Sequence, residues 1–446
     1  MMRRMVSLLT TGILFVGLLS AQTTAPSEPR RLVIVAARMF DAKSGAMLTD
    51  QAIFIEGDRI VKVTPPPGES RQQKSRIDYP GFGKNVPTLR VPGGTVLPGL
   101  IDVHTHLTMD PEFGVWEYLK SLPRQALIGA RNARKTLEAG FTSVRNVEAQ
   151  GFTDVALRDA IDAGDVPGPR IQASGPALSI RGGHGDNNWF PYQFHVESEG
   201  VADGIDEVQR KVRENIKFGA DLIKIMATGG VLSKGDNPQA SQYTQEEMKA
   251  IVADAHRLGR KVAAHAHGGQ GIIWASEAGV DSIEHGSYID DQGIATMKKN
   301  GTYLVPTTFL NDWLLAHTVE TRMTPELIEK EKKVAAVMKK NTGRAAAAGV
   351  KIAFGTDAAV YPHGLNASQF ADYVANLGMK PAFALQTATV NAADLMGWSD
   401  RVGSIEAGKF ADIIAVDGDP LQDISTMERV RLVVKGGVVY KNELPE

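Results

Sequence analysis

Six residues of metal-ligand type are spread along the chain: His104, His106, Lys224, His265, His285 and Asp357. Side chains alternate along a strand, so His104 and His106, two apart after Val96-Leu97-Pro98-Gly99-Leu100-Ile101-Asp102-Val103, share a face and can grip one cation from one direction. Taken alone, His-x-His also fits two stacked imidazoles satisfied within a core. Lys224 interrupts the apolar run Leu222-Ile223-Lys224-Ile225-Met226, where a charged ammonium is costly to bury, so its pKa should fall if it points inward. A neutral amine can react with carbon dioxide to give a carbamate, a bidentate anionic ligand able to bridge two cations. A lysine snorkelling to solvent, or pairing with Asp357, accounts for the same run.

Elements that could bring these residues together lie between residues 96 and 396. There a helical stretch ending in a small residue is followed, repeatedly, by a short apolar strand that finishes on a polar one. The strand segments are 96–104, 141–145, 170–173, 221–225, 261–265, 280–285, 302–306 and 350–357. Eight such α/β units predict a (β/α)8 TIM barrel; a doubly wound open sheet is the alternative. In a barrel the C-terminal strand ends face one mouth, so the six residues can meet whatever their separation in sequence. Both chain ends are β-rich instead, with a hairpin turning at Gly57-Asp58 and strands near 411–416, 430–435 and 438–441. They predict a small β-sandwich domain built from residues 22–95 and 397–446 around the barrel of 96–396. Residues 66–90, rich in Pro, Gly and charge, read as a surface excursion.

Composition narrows the function. At 446 residues, 43% hydrophobic and 22% charged, the chain can bury a large core and is neither disordered nor collagenous. A formal charge of -2 offers no general attraction to nucleic acid or anionic lipid, which favours a small-molecule substrate. With no cysteine, thiolate metal sites and thiol nucleophiles are excluded. Met1-Met2-Arg3-Arg4, the apolar run Met5 to Leu19 and Ser20-Ala21 read as a secretory signal peptide over 1–21, too short to span a bilayer. The mature protein is then expected to be periplasmic or secreted, without a membrane anchor; homo-oligomerisation stays open. No Gly-x-Ser-x-Gly elbow or phosphate-binding loop occurs.

The segment from Val96 to Leu107, with Lys224, His265, His285 and Asp357 in that order, resembles the amidohydrolase superfamily of binuclear metal hydrolases. Val402 to Asp412 is similar to that superfamily's return from barrel to sheet domain. Lys224-Ile225-Met226-Ala227-Thr228-Gly229-Gly230-Val231 and His265-Ala266-His267-Gly268 resemble its prolidase-like branch, which includes dipeptidases and enzymes that hydrolyse the amide of ochratoxin. The resemblance implies that His104, His106 and Asp357 hold one divalent ion and His265 and His285 the other. Lys224, as N6-carboxylysine, and a hydroxide would bridge them. Nitrogen-rich ligation suits zinc, with manganese or cobalt as alternatives. Attack of the bridging hydroxide, with Asp357 carrying its proton to the departing amine, would cleave a dipeptide (Xaa-Pro or Xaa-Arg/Lys), an N-acyl amino acid or an ochratoxin-type amide.

Three residues are candidates for substrate contact. His267 lies two beyond His265 on the same face, and His184 sits in the glycine-rich loop Ile180-Arg181-Gly182-Gly183-His184-Gly185. Tyr243 precedes the capping box Thr244-Gln245-Glu246-Glu247, where packing against Met248 explains it locally; the branch implies a hydrogen bond to the substrate carboxylate. His195, His256 and His317 have no expected metal role, His363 is undecided, and helix 325–349 reads as solvated. The enzymatic rival is a mononuclear deaminase or cyclic-amide hydrolase of the imidazolonepropionase kind; the rival of another class is a non-catalytic barrel that binds or assembles.

Overall fold

Among the residues described by the computed structural model, 29–68 and 73–445, the strands in chain order are β1 (Arg31–Asp41), β2 (Ala46–Glu56), β3 (Arg59–Thr64), β4 (Arg76–Tyr79), β5 (Gly83–Pro98), β6 (Leu100–Thr105), β7 (Phe141–Asn146) and β8 (Arg170–Ala173). They continue as β9 (Leu222–Met226), β10 (Lys261–Ala266), β11 (Ser282–His285), β12 (Tyr303–Val305), β13 (Ile413–Asp417), β14 (Val430–Lys435) and β15 (Val438–Asn442). The leader expected over 1–21 lies outside the described residues.

The two chain ends do meet, with β2 and β3 forming the expected hairpin. They meet as one mixed sheet ordered β15-β14-β13-β5-β1-β2-β3, with β4 on β5. Ile60 in edge strand β3 donates its backbone N–H to Lys409, just before β13, so the sheet turns back on itself and closes one apolar core. Residues 66–90 are not simply a surface excursion, because β4 and the start of β5 fall within them. The expected first barrel strand is divided at Gly99. Its N–H bonds Asp412 in the terminal sheet, and a Cβ there would lie 2.1 Å from Thr142 Oγ1, so only glycine lets the chain step from one sheet to the next.

Centrally, β6-β7-β8 and β9-β10-β11-β12 are parallel sheets, their strands separated by helices such as Leu122–Glu138, Ile205–Lys217 and Gln245–Arg257. This is an α/β fold of TIM-barrel type. Period-2 alternation sorts its residues: Ile223, Ile225, Val262, Ala264 and Ile283 join the helical residues Val208, Val212, Met248 and Ile251 in the main core, while Lys224 and His265 face the other way. The eighth expected strand, 350–357, is not a regular strand. It touches β12 through Ile352 and Leu304, and Ala358, just beyond it, touches Thr105 of β6. The Phe354 N–H is drawn off to the Thr387 carbonyl, and Asp357 takes φ +62°, which breaks the ladder. No helix among the described residues is long and apolar enough to cross a membrane.

Candidate metal centre

All six ligand-type residues are buried and line one cavity of about 150 Å³. His104, from β6, is fixed first. Its Nδ1 lies 2.8 Å from Glu284 Oε2, and Glu284 in turn accepts from Arg145 Nη2 at 2.6 Å. Burial alone would raise the Glu284 carboxyl, but Arg145 and His104 outweigh it and hold it at about 2. An ionised Glu284 can only accept, so the His104 proton sits on Nδ1 and Nε2 presents a lone pair.

That lone pair faces Asp357 Oδ1 at 3.3 Å, and His106 Nε2 approaches the same oxygen at 3.0 Å. Burial would raise Asp357, but a proton donated from His104 or His106 holds it well below the carboxylate range. Two acceptors facing each other across a buried gap are stable only with a cation or proton between them. The donor chemistry therefore fits a metal. Two groups, His104 with His285 and Asp357, and His265 with His267 and His285, each bring three ligand atoms within 4.8 Å of one another. Burial pushes His265 and His285 well below the usual imidazole range, leaving them neutral, as ligation requires.

Backbone geometry aims two of these residues. After inward-facing Glu284, alternation would send His285 outward; instead φ is +69°, and its ring lies 4.9 Å from that of His104 and 4.7 Å from that of His265. Asp357, also left-handed, turns toward the same point. Such conformations cost energy in non-glycine residues and persist where surrounding structure enforces them.

Lys224 is 1% exposed, with no carboxylate within ion-pair distance among the described residues, so neither snorkelling nor pairing with Asp357 describes it. Desolvation pushes its ammonium pKa down. The His184 ring lies tilted 4.3 Å from that of His265, with its Nδ1 2.7 Å from Ser233 Oγ, and His267 Nδ1 is 2.7 Å from Ser287 Oγ. Burial lowers His184 to about 4 and His267 to about 3, so both stay neutral. His267 thus stands among the three-imidazole group as well as on the cavity wall.

Tyr243 does not line the cavity. It is a core residue whose hydroxyl donates to the Ala202 carbonyl at 3.2 Å, and the capping box after it forms as expected. His363 packs beneath the site between Thr136 and the His106 carbonyl. His256 pairs with Asp281, and His317 stacks on Trp313.

Sequence reasoning missed Arg145, Glu284 and Glu331. The first two lie in buried strands of mixed polarity, Phe-Thr-Ser-Val-Arg-Asn and Ser-Ile-Glu-His, where a charged residue stands out less than Lys224 does in its apolar run. Glu331 falls in the helix expected to be solvated, yet it shares a buried stripe with Leu327, Val334 and Met338 and lines the cavity.

Comparison with known proteins agrees with this geometry. The chain is 37% identical to the ochratoxinase of Aspergillus niger over 377 residues, 79% of this chain and 77% of that one. A crystal structure of a Xaa-Pro dipeptidase with bound methionine in the active site matches with a TM-score of 0.85 and 37% identity, covering 92% of this chain and all of that one. A prolidase complexed with N-methylphosphonate-L-proline matches with a TM-score of 0.82 and 33% identity, again over 92% of this chain and all of that one. The model of the amidohydrolase family spans residues 95–439, taking in every residue of the centre, and the chain accordingly belongs to the amidohydrolase family and is a hydrolase of amide bonds.

Proposed function

We propose that this protein cleaves the amide bond of a dipeptide or N-acyl amino acid and releases the C-terminal amino acid, with two divalent ions, zinc first among them, at the centre. The observation that carries this reading is the convergence of His104, His106, Lys224, His265, His285 and Asp357 in one buried cavity. In this reading His104, His106 and Asp357 hold one ion, His265 and His285 the other, and Lys224 serves both as a carbamate. Bound divalent ions supply Lewis-acid activation of water and of the scissile carbonyl.

The protein's own residues do the rest. Asp357 takes the proton of the attacking water on its carboxylate and passes it to the departing amine nitrogen. Glu284, clamped by Arg145, keeps His104 in the tautomer that offers Nε2. His184 and His267, neutral and each fixed through Nδ1 by a serine hydroxyl, offer their other ring nitrogens to the substrate. The two central sheets and segment 350–357 are read as one closed (β/α)8 barrel over 96–396, and residues 1–21 as a leader directing the protein to the periplasm or beyond.

The test is an assay of metal-loaded protein against Xaa-Pro, Xaa-Arg and N-acyl-Phe substrates, with metal counted per chain. Release of the free amino acid, lost on chelation and restored by zinc, is expected at close to two ions per chain. Full activity at well below two ions would overturn the binuclear reading.

A further inference from the structure

On the wall of the same cavity, two helices bury a carboxylate that the mechanism does not use. Glu331, on helix Pro325–Ala347, and Asn311, on helix Phe309–Ala316, are each 1% exposed. Asn311 Nδ2 donates to Glu331 Oε1 at 2.6 Å, while Asn311 Oδ1 has no hydrogen-bond partner among the described residues. Among the described residues no basic side chain lies within ion-pair distance of Glu331. The neighbouring Lys330 is turned away, committed to Asp236 and to the carbonyls of Gly230 and Ser233. The surrounding walls, Leu310, Leu314, Val334 and Met338, are apolar.

An unpaired carboxylate and an orphaned amide oxygen in an apolar wall both demand donors. An apolar or anionic occupant would leave Asn311 Oδ1 without a donor and the Glu331 charge uncompensated, while a metal ion would find only these two protein ligands. Desolvation already pushes the Glu331 carboxyl up to about 7 in the absence of an occupant.

We propose that Glu331 and Asn311 Oδ1 form a subsite for a cationic N–H group of the substrate, an ammonium or a guanidinium. The proposal rests on the amide-hydrolase reading above and extends it to substrate class. Two groups could supply the cation: the free α-ammonium of a dipeptide, or a basic side chain.

The experiment uses two matched pairs, each pair differing by one amino group: Ala-Phe against propionyl-Phe, and propionyl-Lys against propionyl-norleucine. With metal-loaded wild-type protein, the cationic member of one pair is expected to be favoured in kcat/KM by about tenfold or more, since a buried charge-assisted hydrogen bond is lost with its neutral analogue. Preference in the first pair assigns the subsite to the α-ammonium, and in the second to the side chain. Glu331→Gln should reduce that ratio to near one, chiefly through KM of the cationic member, while the neutral isostere is cleaved at least as well as before. Asn311→Leu, an independent variant should the first not fold, should shrink the same ratio. An unchanged ratio in folded variants, or no wild-type preference in either pair, overturns the subsite. Failure to cleave any of the four would instead overturn the parent reading.

Discussion

Along β13 and β14 the positions turned into the terminal core are Ile413, Ala415, Leu432 and Val434, whereas the positions turned into the central cavity from β6, β9 and β10 are His104, Lys224 and His265. The alternation is the same, and both sets are buried; the chemistry is opposite. In the terminal sheet each buried side chain gains free energy by leaving water. In the centre each buried charge is a cost that only a partner offsets, and several, such as Lys224 and Glu331, have none within ion-pair reach among the described residues. Stability and chemistry are carried by different faces: one face of the central sheets holds the chemistry, while their other face and the terminal sheet, joined to them at Gly99, pack apolar cores. Substitutions should therefore separate cleanly into those that unfold the protein and those that silence it.

The sharpest attempt to break that separation is Asp357→Asn. The loss of a group that moves a proton and holds a cation predicts a fall in kcat/KM of about 10²–10⁴-fold. Asparagine tolerates the φ of +62° found here, so the urea midpoint should stay close to that of the wild type. If this variant unfolds instead, the centre carries stability after all and the comparison fails. The converse case is Leu432→Ala, fully buried in the terminal core. It should destabilise by about 2–5 kcal/mol in denaturant titration and leave kcat/KM per folded molecule unchanged. A large activity loss in molecules shown to be folded would mean that the two sheets are mechanically coupled.

Glu331→Gln tests whether the cavity wall stores unfavourable charge. Burial raises the Glu331 carboxyl from its ordinary 4.5 to about 7, so the folded state holds its proton more tightly than the unfolded state. A group raised in this way stabilises below pH 4.5, and that contribution is lost as pH climbs through 7. Substrate-free Glu331→Gln should therefore match the wild type at pH 4.5 and be more stable at pH 8. The expected gain is about 3 kcal/mol, since each tenfold difference in proton affinity between the folded and unfolded states is worth about 1.4 kcal/mol. Equal stability at both pH values would show that Glu331 is solvated or paired in solution.

What could be read in advance followed from local pattern. An apolar strand interrupted by Lys224, a His-x-His at a strand end and the Thr244 capping box each announce themselves within a few residues. The Arg145–Glu284 pair gives no such local signal, since both strands are of mixed polarity and its meaning depends on a contact spanning 139 positions. His285 was placed at the right strand end, yet alternation after Glu284 points it outward, and nothing in Ser-Ile-Glu-His encodes its left-handed φ. Glu331 was hidden by its neighbours: a run of charged residues on one helix masks the fact that position 331 falls on the stripe of Leu327, Val334 and Met338. The eighth strand read well as a pattern and failed as a ladder, because the Phe354 N–H goes to Thr387, a partner that no strand periodicity reveals.

Tyr243 is where the comparison between regions becomes finest, since it lies between core and cavity in sequence but belongs to the core in space. Its hydroxyl is held by the Ala202 carbonyl, and desolvation raises its pKa far above the tyrosine range, so it is a neutral donor with its one proton already committed. A hydroxyl donating there cannot also donate to a substrate carboxylate. Tyr243→Phe removes only that bond, leaving the Ala202 carbonyl short of one donor in the folded state. The expected cost is about 1 kcal/mol in the urea midpoint, with KM for a dipeptide substrate unchanged. A KM raised by tenfold at unchanged stability would return Tyr243 to the substrate side, because a hydroxyl that mattered only to the core would move the midpoint and nothing else.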